Sequence, residues 1–509
     1  MNLDPHTPVV VGVGQSAERI DGPGYRAMSP VELAAAAARA ALVDSCGDLD
    51  AVAAAVDTVA GVRQFEISGP VAKAVLGRSN NYPRSVAGRI GARPARAVLE
   101  VVGGQGPQHL ISELAAEIAA GRSHVALVFG SDATSTLRHF ARSDSKPDFT
   151  ETVDGDLEDR GHGIEKLISR YTVIHGLTSA PIQYALLENA RRAGTGQGPV
   201  EYRRTMAELF APFTKIAANN PFAAAPVERS VDELVTVSES NRMIAEPYPR
   251  LMVARDQVNQ GAAALLMSVE AARRLGVPRD NWVYLHGHTD LEEQPLLDRP
   301  DLGRSPSAVL AVREALAMAG IGVDDVATFD LYSCFPVPVF NICDGMGIAP
   351  DDPRGLTLTG GLPFFGGAGN NYSMHAVAET VAQMRKMPGR FGLVGANGGI
   401  LSKYSVGVYS TTPVPWTPDR NAQLQAQVAA WPTQPVSENA DGRGIVETYT
   451  VRRDDGRPTG IIVGRLDDGS RFLSTTEDEE LIALLIDGDP LGREVRVRSF
   501  DYGNRCTLA

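Results

Sequence analysis

The stretch LEVVGGQGPQHL, residues 99–110, joins a strand-like run (97–102) through a glycine turn to a segment of helical spacing. Leu110, Ile111, Leu114, Ala115 and Ile118 recur at the interval of an amphipathic helix, and Gly121 closes it. A strand that turns tightly into a helix N-terminus often presents a nucleophile, because helix amides and the macrodipole favour negative charge there. The turn here is Gly103-Gly104-Gln105-Gly106, with no Cys, Ser or Thr. The frame for a nucleophile is present without one.

Working outward, strand-like and helical runs alternate. Residues 9–13, 58–62 and 125–129 read as strands, and 30–43 (PVELAAAAARAALV) as an alanine-rich helix. In the second half 307–318, 336–346 and 375–387 read as helices, with strands at 328–332, 391–395 and 405–410. Such alternation with glycine-rich turns predicts an α/β protein with largely buried sheets, in two halves of matching architecture. Residues 138–250 are charged, helical in parts (191–210) and rich in Asn, Pro and Ala (217–226), which reads as an insertion; 260–268 rejoins the sheet. After residue 411 a proline-bearing linker with one short helix leads to short strands at 445–452, 460–465, 471–475 and 494–500, predicting a small β-barrel or sandwich. The expected units are 1–137 with 251–275, 138–250, 276–411, 412–440 and 441–509.

With 509 residues the chain is long enough for about two to four domains. A net charge of −13 argues against nucleic acid or an anionic membrane as a general partner. Cys46, Cys334, Cys343 and Cys506 form no CxxC pair, which argues against a disulfide framework or zinc site and fits a reducing cytosol. No apolar run approaches the ~20 residues of a membrane span. The opening MNLDPHTPVVVGVG lacks the basic and long apolar regions of a signal peptide. A cytoplasmic protein without membrane or nucleic-acid partners is expected.

Several motifs bear on chemistry. VVVGVGQSA (9–17) matches GxGxxG/A, but ERIDGPG follows where the dinucleotide fingerprint needs a helix, so the glycines are read as a structural turn. TGGLPFFGGAGNN (359–371) is a glycine loop before a helix; no GK[ST] follows, so it is read as lining a site rather than as a P-loop. Cys334, in DLYSCFPVPVF (330–340), lies at a strand-to-helix turn, as a low-pKa thiol or as a small buried hydrophobe. His375 and His109 are bases or satisfied helix histidines. His286 and His288 lack a third ligand and read as strand-edge residues, so no metal is expected. Lys166, Arg170, Arg191, Arg192, Arg203, Arg204 and Lys215 gather in the insertion, as solvated faces or as a cradle for a phosphate-bearing ligand.

Taken in order, these stretches resemble the thiolase superfamily across roughly residues 7–411. VVGGQGPQHLISELAAEIAAGRSHVALVFGSDA is similar to the family's CxSG-helix-strand frame, and the resemblance places Gly104 at the acyl-accepting cysteine. Tyr332-Ser333-Cys334-Phe335 is similar to the NEAF or HDCF motif, with Tyr332 at the oxyanion-hole residue and Cys334 at the acid/base cysteine of the sterol-carrier type. GGLPFFGGA puts Gly367 at the catalytic histidine, with Ala368 at its proline. Ala396-Asn397-Gly398 puts Ala396 at the second cysteine.

The pattern most resembles thiolase-like proteins of type 1. That implies a duplicated α/β thiolase-type core, a helical loop-domain insertion and a small OB-like C-terminal β-barrel. It also implies an acyltransferase fold in which glycine supplies no nucleophile for standard thiolysis or Claisen condensation. Three functions follow as expectations. The first is binding of CoA or acyl-CoA thioesters in lipid metabolism, with no covalently bound cofactor. There the insertion's basic residues would hold phosphates, and Gly104, Gly366 and Gly367 would line a widened acyl pocket. The second is altered acyl-CoA chemistry with Cys334 and His375 as acid and base, and Asn370 or Asn371 polarising a carbonyl. The third is a scaffold that binds no CoA. Thiolases pair through the strand before the nucleophile; Glu100 there would face its symmetry mate, so a monomer is expected. The tail's acidic strands, with few aromatics, suggest docking on the core or a protein partner rather than nucleic acid.

Overall fold

In the computed structural model, which describes residues 3–164, 167–453 and 457–509, the first half supplies β1 (Pro8–Ala17), β2 (Thr58–Gly61), β3 (Arg96–Leu99) and β4 (Val125–Asp132). The insertion contributes β5 (Glu158–Asp159), β6 (Met243–Ala245) and β7 (Tyr248–Pro249) before β8 (Gln260–Ser268) returns to the sheet, whose order is β1-β8-β4-β2-β3-β5. A second sheet, β10-β11-β12-β9, is built from β9 (Tyr284–Glu292), β10 (Val326–Leu331), β11 (Phe391–Gly398) and β12 (Lys403–Ser410). Every residue of β4 and β8 is buried, which is why 125–129 and 261–267 within them read as continuous apolar runs rather than alternating ones.

Two helices, Gly106–Ala119 and Tyr372–Lys386, lie between the sheets. Leu110, Ile111, Leu114 and Ile118 of one and Met374, Val377, Val381 and Met384 of the other share a single buried cluster with strand residues of both halves. Outer helices cover the far faces: Pro30–Asp44 on the first sheet, Pro306–Ala319 and Pro336–Met346 on the second. The two halves therefore match as architecture, as their sequence rhythm predicts.

The 9–17 stretch departs from its reading as a turn. It is strand throughout, and its glycines let the alanine-rich helix approach: a Cβ on Gly12 or Gly14 would stand 2.1 Å from the carbonyl oxygen of Ala41 or Ala37. Small residues on both sides serve one close contact. The helix expected over 191–210 is also two helices, Ala180–Thr195 and Pro199–Asn219. Gly196 ends the first at φ 73°, a conformation glycine adopts without strain, and Pro199 starts the second.

The C-terminal unit closes into a five-stranded barrel of β13 (Gly442–Arg452), β14 (Thr459–Leu466), β15 (Arg471–Thr476), β16 (Glu494–Arg498) and β17 (Arg505–Leu508), since β13 pairs with both β14 and β16. Two elements were not anticipated, β17 and the helix Glu479–Asp487, whose Leu481 and Leu485 fill the barrel core. The barrel docks on the core. Ile461, Val463 and Leu473 join the large cluster of the second half, and β6 of the insertion adds to the barrel sheet through Ala245 opposite Arg452. Arg471, fully buried, ties Glu447 to the carbonyls of Leu297 and Arg299.

The expected reason for a monomer is corrected. Glu100 does not wait for a symmetry mate: it is 2% exposed and lies 2.7 Å from Arg160. The edge of β3 that would pair across a two-fold axis is already hydrogen-bonded, in parallel, to β5. An edge so covered offers no free ladder to a second chain. Static light scattering is expected to return the mass of a single chain. Arg160→Ala, which leaves the buried Glu100 carboxylate with His109 as its remaining cation, is expected to lower stability by about 2–3 kcal/mol in urea denaturation.

Candidate functional site

The turn at 103–106 is held by the other half of the molecule. Asn370 Oδ1 accepts from the Gly103 amide (3.1 Å), and Ser373 Oγ donates to the Gly104 carbonyl (2.5 Å). The space above Gly104 is filled: a Cβ there would stand 2.2 Å from Tyr332 Oη and 2.5 Å from Cζ. A Cβ on Gly398 would likewise meet Gln105 Oε1 at 1.7 Å. A side chain at 398 would require Gln105 to swing away, whereas at 104 it would meet the ring of Tyr332, which is buried, edge-on to Tyr372, and occupies the volume into which a nucleophile would project.

The expected widened acyl pocket is therefore absent at these glycines. Gly366 abuts Gln260 and Val258, Gly367 abuts the Arg255 carbonyl, and Gly104 abuts Tyr332. The glycine loop is instead a packed structure organised by Asp330. Its carboxylate accepts from the amides of Leu358 and Thr359 and the hydroxyls of Thr357 and Thr359. Burial raises Asp330 to about 6, against the pull of those donors.

Cys334 lies at the end of β10, before the helix Pro336–Met346, as the sequence suggests. Burial pushes its thiol up to about 12, so the group is a neutral SH. Asn397 Nδ2 reaches its sulfur at 3.8 Å and Tyr184 Oη at 2.7 Å. The helix N-terminus that could have activated the thiol is engaged by Glu188 from the insertion. Glu188 accepts from the Val337 amide (2.8 Å), Tyr202 (2.6 Å) and Tyr248 (2.8 Å), and burial raises it to about 7. The sequence reading missed Glu188. Its signal was available: an acid on the face of helix Ala180–Thr195 that also carries the buried Tyr184.

His375 is not brought to Cys334. Its Nδ1 pairs with Gln15 Oε1 of β1 (2.7 Å), its ring lies edge-on to Phe365, and its Nε2 has no partner. Burial holds it down at about 3, so it is neutral at any physiological pH. Asn370 and Asn371 are also committed: their amides donate to the carbonyls of Arg63 and Gly130. Ala396 lies inside β11 and Gly367 inside the packed loop. His286 and His288 lie on β9, the edge strand of the second sheet, and are nevertheless buried, bonded to the carbonyls of Thr412 and Thr417.

The insertion's basic residues do not converge. Arg191 pairs with Asp344 and stacks on Phe340, Arg192 is buried against Asp489, Arg203 meets Glu246, and Arg204 meets Glu208 and Asp232. Arg170 is exposed beside the barrel, and Lys166 lies outside the described residues. Arg191 and Arg192 tie the insertion to helix Pro336–Met346 and to the barrel, whereas Arg203 and Arg204 pair within the insertion. One set of potential metal ligands occurs among the described residues, Glu100, His109 and Glu113. Arg160 already lies 2.7 and 2.6 Å from the two carboxylates, so a guanidinium fills the cation's place. Burial opposes charge on His109, but Asp290, Glu100 and Glu113 outweigh it and raise it to about 9.

Open space borders this region elsewhere. A cleft of about 240 Å³ runs between Arg19, the 22–28 loop, residues 221–224 and Gln260, whose side chain donates to the Phe365 carbonyl of the glycine loop. It shares Arg26 and Met28 with a second hollow of about 320 Å³ that carries Arg39 and Arg89.

Comparison with known proteins places this geometry. Residues 423–501 match the family model of the thiolase-like protein type 1 additional C-terminal domain. A crystal structure of a monomeric SCP2-thiolase-like protein type 1 from Mycobacterium smegmatis is 57% identical, with all of both chains covered and a TM-score of 0.88. The dimeric peroxisomal thiolase of Saccharomyces cerevisiae shares the fold at 13% identity, covering 80% of this chain and 98% of that one, TM-score 0.59. An Ltp2-ChsH2(DUF35) aldolase does so at 18% identity over 80% and 98%, TM-score 0.55. No curated protein matches.

The burial pattern predicts that Cys46, the exposed cysteine, alone reacts rapidly with a thiol reagent in native protein, the other three only after denaturation. A pH effect follows from His375. The folded chain resists a proton that the unfolded chain takes up near pH 6.5, so stability falls as pH drops from about 6.5 towards 3. Glu188, raised to about 7, acts oppositely, favouring the folded state as pH falls below that value. His375→Gln is expected to flatten the acid-side loss, by up to about 1.4 kcal/mol per pH unit, in urea midpoints measured across that range.

Proposed function

The chain belongs to the SCP2-thiolase-like proteins of type 1, and on that premise we propose that it binds CoA or an acyl-CoA thioester, in lipid metabolism, without forming a covalent acyl intermediate. The observation that carries this reading is the contact of Tyr332 with Gly104. Acyl transfer through a cysteine needs a thiolate at the helix N-terminus and donors for the thioester oxygen. Here the position is glycine, its space is taken by a phenol, and burial raises that phenol's pKa so that it stays neutral. The glycine loop offers no histidine to the turn, and Ala396 offers no thiol.

Binding is supported by the cleft beside the glycine loop. Gln260 forms its inner end, and Arg19 and Arg26 flank it. The adjoining hollow adds Arg39, whose guanidinium donates to the Arg89 carbonyl. An apolar arm near Gln260 with phosphates towards Arg26 and Arg39 matches the chemistry of a CoA ester, since guanidinium groups pair well with phosphate oxygens. The residues that would read the nucleotide are then in the first half, not in the insertion. Altered chemistry by Cys334 and His375 draws no support, because each group is neutral and each is bonded to a different partner.

Calorimetric titration with acetoacetyl-CoA tests the proposal. Saturable heat without release of acetyl-CoA is expected, and Arg26→Glu with Arg39→Glu is expected to weaken it roughly tenfold. Sustained turnover would overturn the non-covalent reading, and the absence of heat with any CoA ester would overturn binding.

A further inference from the structure

A second, wider cleft of about 930 Å³ lies elsewhere, where three parts of the chain converge. The end of helix Ala180–Thr195 from the insertion forms one wall. The start of Pro306–Ala319 and the end of Pro336–Met346 form the second, and Trp431, just beyond the linker helix Asn421–Ala429, forms the third. It shares no lining residue with the cleft beside the glycine loop.

Two neutral polar groups in its lining lack partners. Ser305 is the N-cap of helix Pro306–Ala319, yet its side chain makes no cap; its Oγ is unpartnered and the residue is 2% exposed. Glu293 accepts from the Ser307 amide instead (3.0 Å). Asn341 Nδ2 is also unpartnered, in a residue 4% exposed. Burying such groups unsatisfied costs about 1–3 kcal/mol each, a deficit relieved by a ligand that draws either side chain from just behind the cleft wall into the cleft.

The charged lining has one sign in excess. Arg191, Arg304 and Arg313 face the cleft, with Asp301 and Asp344 as the carboxylates. Arg304 is loosely held by Asp301 at 3.3 Å and largely exposed, and Arg313 donates only to the Gly345 carbonyl. The floor is tight by construction: a Cβ on Gly303 would stand 2.8 Å from the Arg191 backbone. In a protein of net charge −13 this is a local site for an anion.

We propose that this cleft binds an organic phosphate of nucleotide size. Arg304 and Arg313 hold the phosphate oxygens, Asn341 and Ser305 donate to the same acceptors, and the Trp431 indole with Val309 and Leu310 flanks a flat apolar group. The volume is at the upper end for small-ligand sites, which favours a nucleotide over a bare ion. This site goes beyond the acyl-CoA reading, because it depends on none of the residues named for that ligand.

Trp431 fluorescence during titration with ADP tests the proposal, since the indole reports this cleft and not the other. A saturable change, absent in Trp431→Phe and weakened roughly tenfold in Arg304→Glu/Arg313→Glu, is expected. Both arginines are exposed, so the paired variant is expected to fold, and circular dichroism checks it. Competition by inorganic pyrophosphate would assign the affinity to the phosphates, and weaker binding of adenosine would agree. No change up to millimolar ADP, or binding unaltered in the arginine variant, would overturn the site. ADP heat in calorimetry that is lost in Arg26→Glu/Arg39→Glu, with Trp431 fluorescence unresponsive, would place ADP in the acyl-CoA cleft and overturn this proposal while leaving the other standing.

Discussion

A phenol at position 332 and a side chain at position 104 cannot share one volume. The separation of 2.2 Å between Tyr332 Oη and the place of a Cβ on Gly104 is far inside the roughly 3.5–4.0 Å at which nonbonded carbons rest. Much around the turn follows from that exclusion. Tyr332 leads from the end of β10 and packs on Tyr372, whose hydroxyl is 3.3 Å from Asp330. Asp330 in turn orders residues 357–361. The turn, the strand end and the glycine loop thus form one packed unit.

The insertion is bound into that unit rather than lying loosely over it. Glu188 joins helix Ala180–Thr195 to the Val337 amide of helix Pro336–Met346, and its other partners, Tyr202 and Tyr248, come from the rest of the insertion. Buried carboxylates are costly unless well bonded, and this one has three donors. Arg192 extends the same helix to the barrel through Asp489, and Asn189 donates to the Tyr449 carbonyl. A basic segment in an acidic protein therefore joins structural parts together, and the arginines that remain free to meet an anion are on other elements.

Covering the edge of β3 has a similar character. Two residues of β5 and the guanidinium of Arg160 satisfy a strand edge and a buried Glu100 within one chain. The requirements that another chain could meet are met internally, by a segment whose sequence carries no strand signal longer than two residues.

The sequence by itself determined the order and kind of the core elements. Apolar spacing in 110–118, 307–318 and 336–346 and the continuous apolar runs within β4 and β8 are local, and burial on one or both faces leaves its mark on neighbouring residues. It also determined that the turn holds no nucleophile, because that is a matter of residue identity. Tertiary structure decided which polar groups meet. His375 finds Gln15 across 360 residues, Arg192 finds Asp489 across 297, and Gly103 finds Asn370 across 267. No spacing rule encodes such pairs. Whether an arginine offers its charge to a ligand or spends it on an aspartate, and whether a cysteine at a helix start is activated or silenced, depends on what the fold brings beside it, since burial and the nearest partner set both the charge and its availability.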